Sequence, residues 1–318
     1  VSVRFWPILV SLVVWAQGAA AFDWPVAEPV VTATFAESRG DHLHGGVDLG
    51  GGEQPVFPIA AGELVFFHEE GGYSSLPVGL GSFVVLQHEG GIRSLYAHLK
   101  EGSIDGTLKR YDRGRPLGTV GSSGYSQGTH LHLGIIDAET QTIVNPFLLL
   151  PPVRDMRRPT IREVFLREGQ SVLRVADGMV ARRGQQEVLV SAFDVRDDVS
   201  FLWRLAPYKI SLYQDGREIF AFQAETLHAA AAEAPGVGTA PPGGDAAGAA
   251  PTGSEVPLRE RRLVLRTPER SFEELYAGEW LYRLGTLKLA PGETILTIIA
   301  ADFAGNETSV EYTLKVSD

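Results

Sequence analysis

The chain has 318 residues, a formal net charge of −11 and no cysteine. That length accommodates two domains with filled cores, and the acidic balance argues against a nucleic-acid-binding surface, which needs Lys and Arg against phosphate. Without cysteine there are neither disulfides nor thiolate ligands, so any zinc must be held by imidazole and carboxylate.

Residues 1–21 read as a secretory signal peptide. Arg4 supplies the positive start, Phe5 to Ala16 is a short apolar run, and Ala19-Ala20-Ala21 offers a small-residue cleavage site. The run is shorter than the ~20 residues of a membrane span. The expectation is an exported chain starting at Phe22, periplasmic, wall-associated or extracellular, with no membrane span after cleavage.

A first domain is expected over 22–157. The β-branched residues of Val30 to Phe35 predict a strand. His44 and Asp48, four apart, would share a helix face, but Gly45, Gly46 and Gly50 to Gly52 disfavour a helix, so a loop turning into a short strand is expected. Further strands are predicted over 62–68, 82–88 and 92–99, with Glu89-Gly90-Gly91 as a hairpin turn. A Gly/Ser/Pro loop over 71–81 is placed to wall a groove, and 115–121 reads as a short strand. Next comes Gly128-Thr129-His130-Leu131-His132-Leu133. In a strand, side chains two apart share a face, so His130 and His132 point into one cavity. Asn145-Pro146 and Pro151-Pro152 close this domain, and 157–159 reads as a linker.

A second domain is expected over 158–318. Strands are predicted at 187–194, 208–213, 294–300 and 310–316, with a turn at 301–306. Short strands with regular turns suggest an immunoglobulin-like β-sandwich. The Ala/Gly/Pro-rich stretch 228–257 lacks apolar periodicity and is expected as a disordered insert. No helical periodicity of useful length occurs in the first domain, so the fold class is all-β.

A catalytic zinc typically takes three protein ligands and leaves a position for water. His44, Asp48 and His132 are the favoured ligands, and His42, the nearest rival to His44, lacks the Gly-x-Asp that follows. His98 and His130 then remain to move protons and stabilise developing charge, with His130 as general base and His98 as donor, or the reverse. His68, His88 and His228 read as ordinary polar residues and Tyr96 as packing. Arg39 is placed either to line the groove or to pair with Asp41.

Three motifs carry a resemblance. His44-Gly45-Gly46-Val47-Asp48, Tyr96-Ala97-His98-Leu99 and the run from Gly121 to His132 follow the order of the lysostaphin-like (LytM-type) zinc metallopeptidases. The resemblance covers 44–134 and implies an antiparallel β-sheet groove domain with one zinc per chain on His44, Asp48 and His132, and with His98 and His130 acting on the reaction. It also implies the substrate: peptide cross-links of bacterial peptidoglycan, stem-peptide links involving D-Ala ahead of glycine bridges. Thr129 stands where the family often has Pro and Leu133 where Phe is common, departures that bear on groove shape. The expected sandwich would set the catalytic domain against the wall or a wall-associated protein partner. The alternative is a non-catalytic peptidase-like regulator that activates another wall hydrolase.

Overall fold

The computed structural model describes residues 22–69, 79–200, 203–231, 263–266 and 270–317. The expected signal peptide, residues 71–78 of the expected groove loop and residues 232–257 of the expected insert lie outside them.

The first part of the chain forms β1 (Val30–Ala33), β2 (Val47–Gly50), β3 (Pro55–Val56), β4 (Gly62–His68), β5 (Ser82–Gln87), β6 (Ile92–Leu99), β7 (Arg110–Tyr111), β8 (Gly118–Thr119), β9 (Leu131–Asp137) and β10 (Thr142–Val144). All except the small β3–β8 ribbon belong to one antiparallel sheet. Strand β9 is its hub. β6 runs along one edge, while the other edge is shared by β2, opposite residues 131–133, and β10, opposite 135–137. Period-2 alternation assigns the faces: Leu131, Leu133 and Ile135 of β9 and Val47 and Leu49 of β2 are fully buried in one apolar core with Leu86, Tyr96 and Leu117.

The remainder forms β11 (Thr160–Glu168), β12 (Ser171–Arg174), β13 (Val180–Arg182), β14 (Gly184–Phe193), β15 (Lys209–Gln214), β16 (Arg217–Gln223), β17 (Thr226–Ala231), β18 (Leu263–Arg266), a single helical turn α1 (Phe272–Leu275), β19 (Tyr276–Gly278), β20 (Leu281–Leu289), β21 (Gly292–Ala301) and β22 (Glu307–Ser317). The chain is almost all β, as expected. Two five-stranded sheets, in the orders β12-β11-β14-β20-β19 and β13-β22-β21-β15-β16, share a second core. Alternation is again the cause: Leu296, Ile298 and Ala300 of β21 point inward against Val188 and Val190 of β14. The β13–β22 pair is parallel. Among the described residues, no helix is long and apolar enough to cross a membrane.

The two parts interlock. β17 and β18 extend the first sheet through β10, with Thr142 opposite His228, so the first four residues of the expected insert end a strand. Conversely Phe35, Ala36 and Leu43 from the first part sit in the second core. Within the first part, Trp24 Nε1 donates to Pro151 O at 2.8 Å and holds down the segment that leads out of it. Asn145 clamps the seam: its Nδ2 donates to Ala224 O at 2.7 Å, its backbone N–H donates to Glu225 O, and its Oδ1 accepts from Phe147 N at 3.1 Å. This side chain is buried, so removing it strands the Ala224 carbonyl and the Phe147 amide. Asn145→Ala is expected to lower unfolding stability by about 1–3 kcal/mol, read by urea denaturation.

Candidate metal centre

Asp48 and His132 lie directly opposite each other in the β2–β9 ladder. Their neighbours Val47, Leu49, Leu131 and Leu133 face the core, so alternation turns the two polar side chains to the other face. His44 arrives from a tight hairpin in which Ala36 N donates to His44 O and His44 N to Glu37 O. Gly46 makes the approach feasible. A Cβ there would lie 2.3 Å from Leu133 O and 2.9 Å from the His132 ring, so no side chain fits at position 46.

The three donors converge. His44 Nε2 is 3.0 Å from Asp48 Oδ1 and 3.0 Å from His132 Nδ1, and the last two are 2.9 Å apart. His44 Nδ1 lies 2.8 Å from Thr34 O, and a carbonyl only accepts, so Nδ1 carries the proton and Nε2 presents a lone pair. That lone pair faces a carboxylate oxygen and a second imidazole nitrogen. Lone pairs packed this closely repel unless a proton or a cation lies among them. Edges of 2.9–3.0 Å are near the ~3.3 Å between ligands of a tetrahedral ion with bonds of about 2.0 Å. The residues therefore fit a zinc site, and they form one of the clusters among the described residues with donors close enough to hold a metal ion. The Thr34 carbonyl fixes the His44 tautomer, as an outer partner does for a metal-binding histidine.

His98 reaches the same face by a different route. In a regular strand it would share a face with Tyr96, which is buried in the core. Yet Leu99 is buried there too. A left-handed backbone at His98 (φ 60°) and a register shift between Ser82 and Val84 on β5 switch the parity, turning His98 outward. Its Nδ1 lies 2.8 Å from Ser123 O, so Nε2 is the lone-pair nitrogen. Burial first, then the neighbouring His130 and His132, holds its pKa down at about 4. His130 stands just ahead of β9, bridged to Gly121, with Nδ1 2.9 Å from Gly128 O and Nε2 3.8 Å from Asp48 Oδ2. The His98 and His130 rings are 4.8 Å apart, and those of His98 and His132 6.1 Å. All five residues singled out from the sequence thus gather on one face of the sheet.

Burial works against the Asp48 carboxylate, but His44 and His132 hold it well below the usual carboxylate range. Burial likewise lowers His44, to about 4, with Asp48 opposing. Arg39 Nη2 sits 2.5 Å from Asp48 Oδ2 and its Nη1 is 4.0 Å from Glu37. Arg39 thus reaches the Asp48 carboxylate of the site, while Asp41 Oδ1 is 2.6 Å from His42 Nδ1. Glu37 is pushed up to about 7, by burial first, with Arg39 opposing. Tyr96 is a core residue: its hydroxyl accepts from Ile59 N and joins Ser94 and His88 on the far side of the sheet. Sequence reasoning missed Glu37 and the carbonyls of Thr34, Ser123 and Gly128. The polar loop before His130 was the only signal for the last two.

The geometry sets three converging side chains that could hold a metal ion, His44, Asp48 and His132, beside the two further imidazoles of His98 and His130. The family model described as Peptidase family M23 matches residues 42–146. A second family model, without a description, matches 258–317. No curated protein matches the chain. Solved structures similar to it include a zinc-containing peptidase from Vibrio cholerae at 24% identity, covering 36% of this chain and 36% of that one, with a TM-score of 0.31. A putative M23 peptidase from Pseudomonas aeruginosa is 27% identical over 42% of this chain and 48% of that one, with a TM-score of 0.30. The catalytic domain of lysostaphin from Staphylococcus simulans is 25% identical over 35% of this chain and 81% of that domain, with a TM-score of 0.28. The match thus spans about a third of the Vibrio cholerae chain. Residues 42–146 are the stretch of the chain that is similar to peptidase family M23.

Because Gly46 is pressed against Leu133 O and the His132 ring, Gly46→Ala is expected to weaken zinc affinity at least tenfold. It should also cost about 1–3 kcal/mol through overpacking. Zinc titration against a competing chelator and thermal denaturation measure the two effects.

Proposed function

We propose that this protein is an exported zinc endopeptidase that hydrolyses peptide cross-links of bacterial peptidoglycan. The observation that carries the reading is the convergence of the His44, Asp48 and His132 lone pairs at 2.9–3.0 Å, with His98 and His130 on the same face. The M23 match over 42–146 supports a peptidase, and the peptidoglycan substrate rests on the resemblance of the motifs.

His44, Asp48 and His132 would hold the ion. When bound, zinc supplies Lewis acidity and lowers the pKa of water toward about 7. His130 is the proton acceptor in this reading. Its Nδ1 is fixed on Gly128 O, so Nε2 is the nitrogen turned to the site, 3.8 Å from Asp48 Oδ2. His98, oriented by Ser123 O, uses Nε2 once protonated to donate to the oxygen on which charge develops. Arg39 keeps the second Asp48 oxygen occupied and so turns Oδ1 to the ligand position. The second unit, read as an immunoglobulin-like sandwich, would position the catalytic region against the wall or a wall-associated partner. A purely regulatory role for the fold would leave His98 and His130 without use.

Digestion of purified peptidoglycan, with fragments read by mass spectrometry, tests the reading. Release of uncrosslinked stem peptides that stops with chelator is expected; no release by the zinc-loaded protein overturns it. His132→Ala is expected to lose both zinc and activity. His98→Ala should keep one zinc per chain and lose about 10²-fold or more in rate. Equal zinc loss in both variants would refute the ligand assignment.

A further inference from the structure

A second group of acids lies where the two parts of the chain meet. Asp155 stands in the connecting segment, Asp194 directly follows β14, and Asp302 begins the β21–β22 turn. One carboxylate oxygen from each lies within 4.8 Å of the other two, and all three residues are buried. Two are oriented by neutral donors. Asp302 Oδ1 accepts from Asn306 N at 2.8 Å and its Oδ2 from Asn306 Nδ2 at 2.7 Å, while Asp155 Oδ1 accepts from Arg157 N at 3.1 Å. Asp194 is different. It is 4% exposed and its Oδ1 has no hydrogen-bond partner.

The local positive charge falls short. Arg196 Nη1 approaches Asp155 Oδ2 at 3.5 Å, but its Nε and Nη2 are turned to Asp198 at 3.0 and 3.3 Å, and Nη2 also to Arg154 O at 3.4 Å. One guanidinium shared with a fourth carboxylate leaves the buried trio in excess. A buried carboxylate oxygen without a partner is costly and is relieved by a proton or by a cation. Burial, then Asp302 and Asp155, push the Asp194 carboxyl up to about 8, which expresses the same unmet demand. A cavity of about 150 Å³ borders the three carboxylates, with Thr34, Asn145 and Phe303 in its wall. That is room for several waters.

We propose that Asp155, Asp194 and Asp302 form a calcium site at the joint between the two parts. The donors are all oxygen, which suits a hard cation and not zinc. Spacings within 4.8 Å are reachable by an ion with bonds of about 2.3–2.6 Å, and calcium completes its 6–8 ligands with water in just such an adjoining space. Magnesium holds a smaller, stricter octahedron and fits this loose trio less well. The site would tie the connecting segment, through Asp155, to both sheets of the second part, through Asp194 and Asp302.

Calcium chloride titrated calorimetrically into the zinc-loaded full chain tests this, with thermal denaturation in parallel. Expected are one calcium per chain, a midpoint rise of about 5 °C at saturation, and unchanged zinc content. Asp194→Asn, and independently Asp302→Asn, should weaken calcium binding at least tenfold and leave zinc bound. The His44→Ala/His132→Ala double variant should keep the calcium. No calcium uptake by the wild-type chain overturns the proposal, as does uptake undiminished in both aspartate variants or lost with the two histidines. Magnesium binding as tightly as calcium overturns the choice of ion. A rise in midpoint for Asp194→Asn with no response to calcium would mean that a shared proton, not a cation, settles the charge.

Discussion

The pairing of Asp48 with His132 across β2 and β9 is the constraint from which the candidate metal centre follows. Four apolar neighbours, Val47, Leu49, Leu131 and Leu133, are fully buried on one face, and their burial pins the register. A slip of one residue would drive both polar side chains into the core and expose the apolar ones. The same hydrophobic term that folds the sheet therefore sets Asp48 and His132 side by side. The third side chain depends on space, since only a residue without a side chain at Gly46 lets the His44 hairpin close over Leu133 O.

Electrostatics then works on a framework already fixed by packing. Desolvation opposes the Asp48 charge, and the structure compensates with two imidazoles and the Arg39 guanidinium. Each of His44, His98 and His130 gives its Nδ1 proton to a backbone carbonyl, at 2.8, 2.8 and 2.9 Å respectively. The shared pattern leaves three Nε2 lone pairs unspent. One of them, on His44, faces Asp48 and His132, and the other two lie beside that cluster.

Alternation made much of this legible in the sequence. Strands over 62–68 and 92–99 follow their predicted limits, and the His130/His132 run marks the entry to β9. The orienting carbonyls were not legible, because backbone groups carry no letter. Nor was the parity switch at His98, since a strand residue with positive φ leaves no mark in composition. Arg39 could line the groove or pair with Asp41, and only the fold shows its guanidinium on Asp48. The docking of β17 against β10 and the gathering of Asp155, Asp194 and Asp302 bring together residues far apart in sequence, where periodicity has nothing to say.

The joint between the two parts bears on the metal centre through Thr34. Its carbonyl fixes the His44 tautomer, while its hydroxyl donates to Ala206 O at 3.1 Å and accepts from Ala206 N at 3.0 Å. Next to it, Phe35, Ala36 and Leu43 are buried in the second core, and the Tyr276 hydroxyl donates to Ala36 O at 3.0 Å. Asp48 and His132 belong wholly to the first sheet, but the hairpin that delivers His44 is folded onto the second part of the chain. Ala206 adjoins Leu205, whose backbone pairs with Asp194 in both directions. The acidic cluster is thus a few bonds from Thr34. Without the second part, Asp48 and His132 would keep their register while His44 lost both the packing and the carbonyl geometry that aim it, so the centre is a product of both parts.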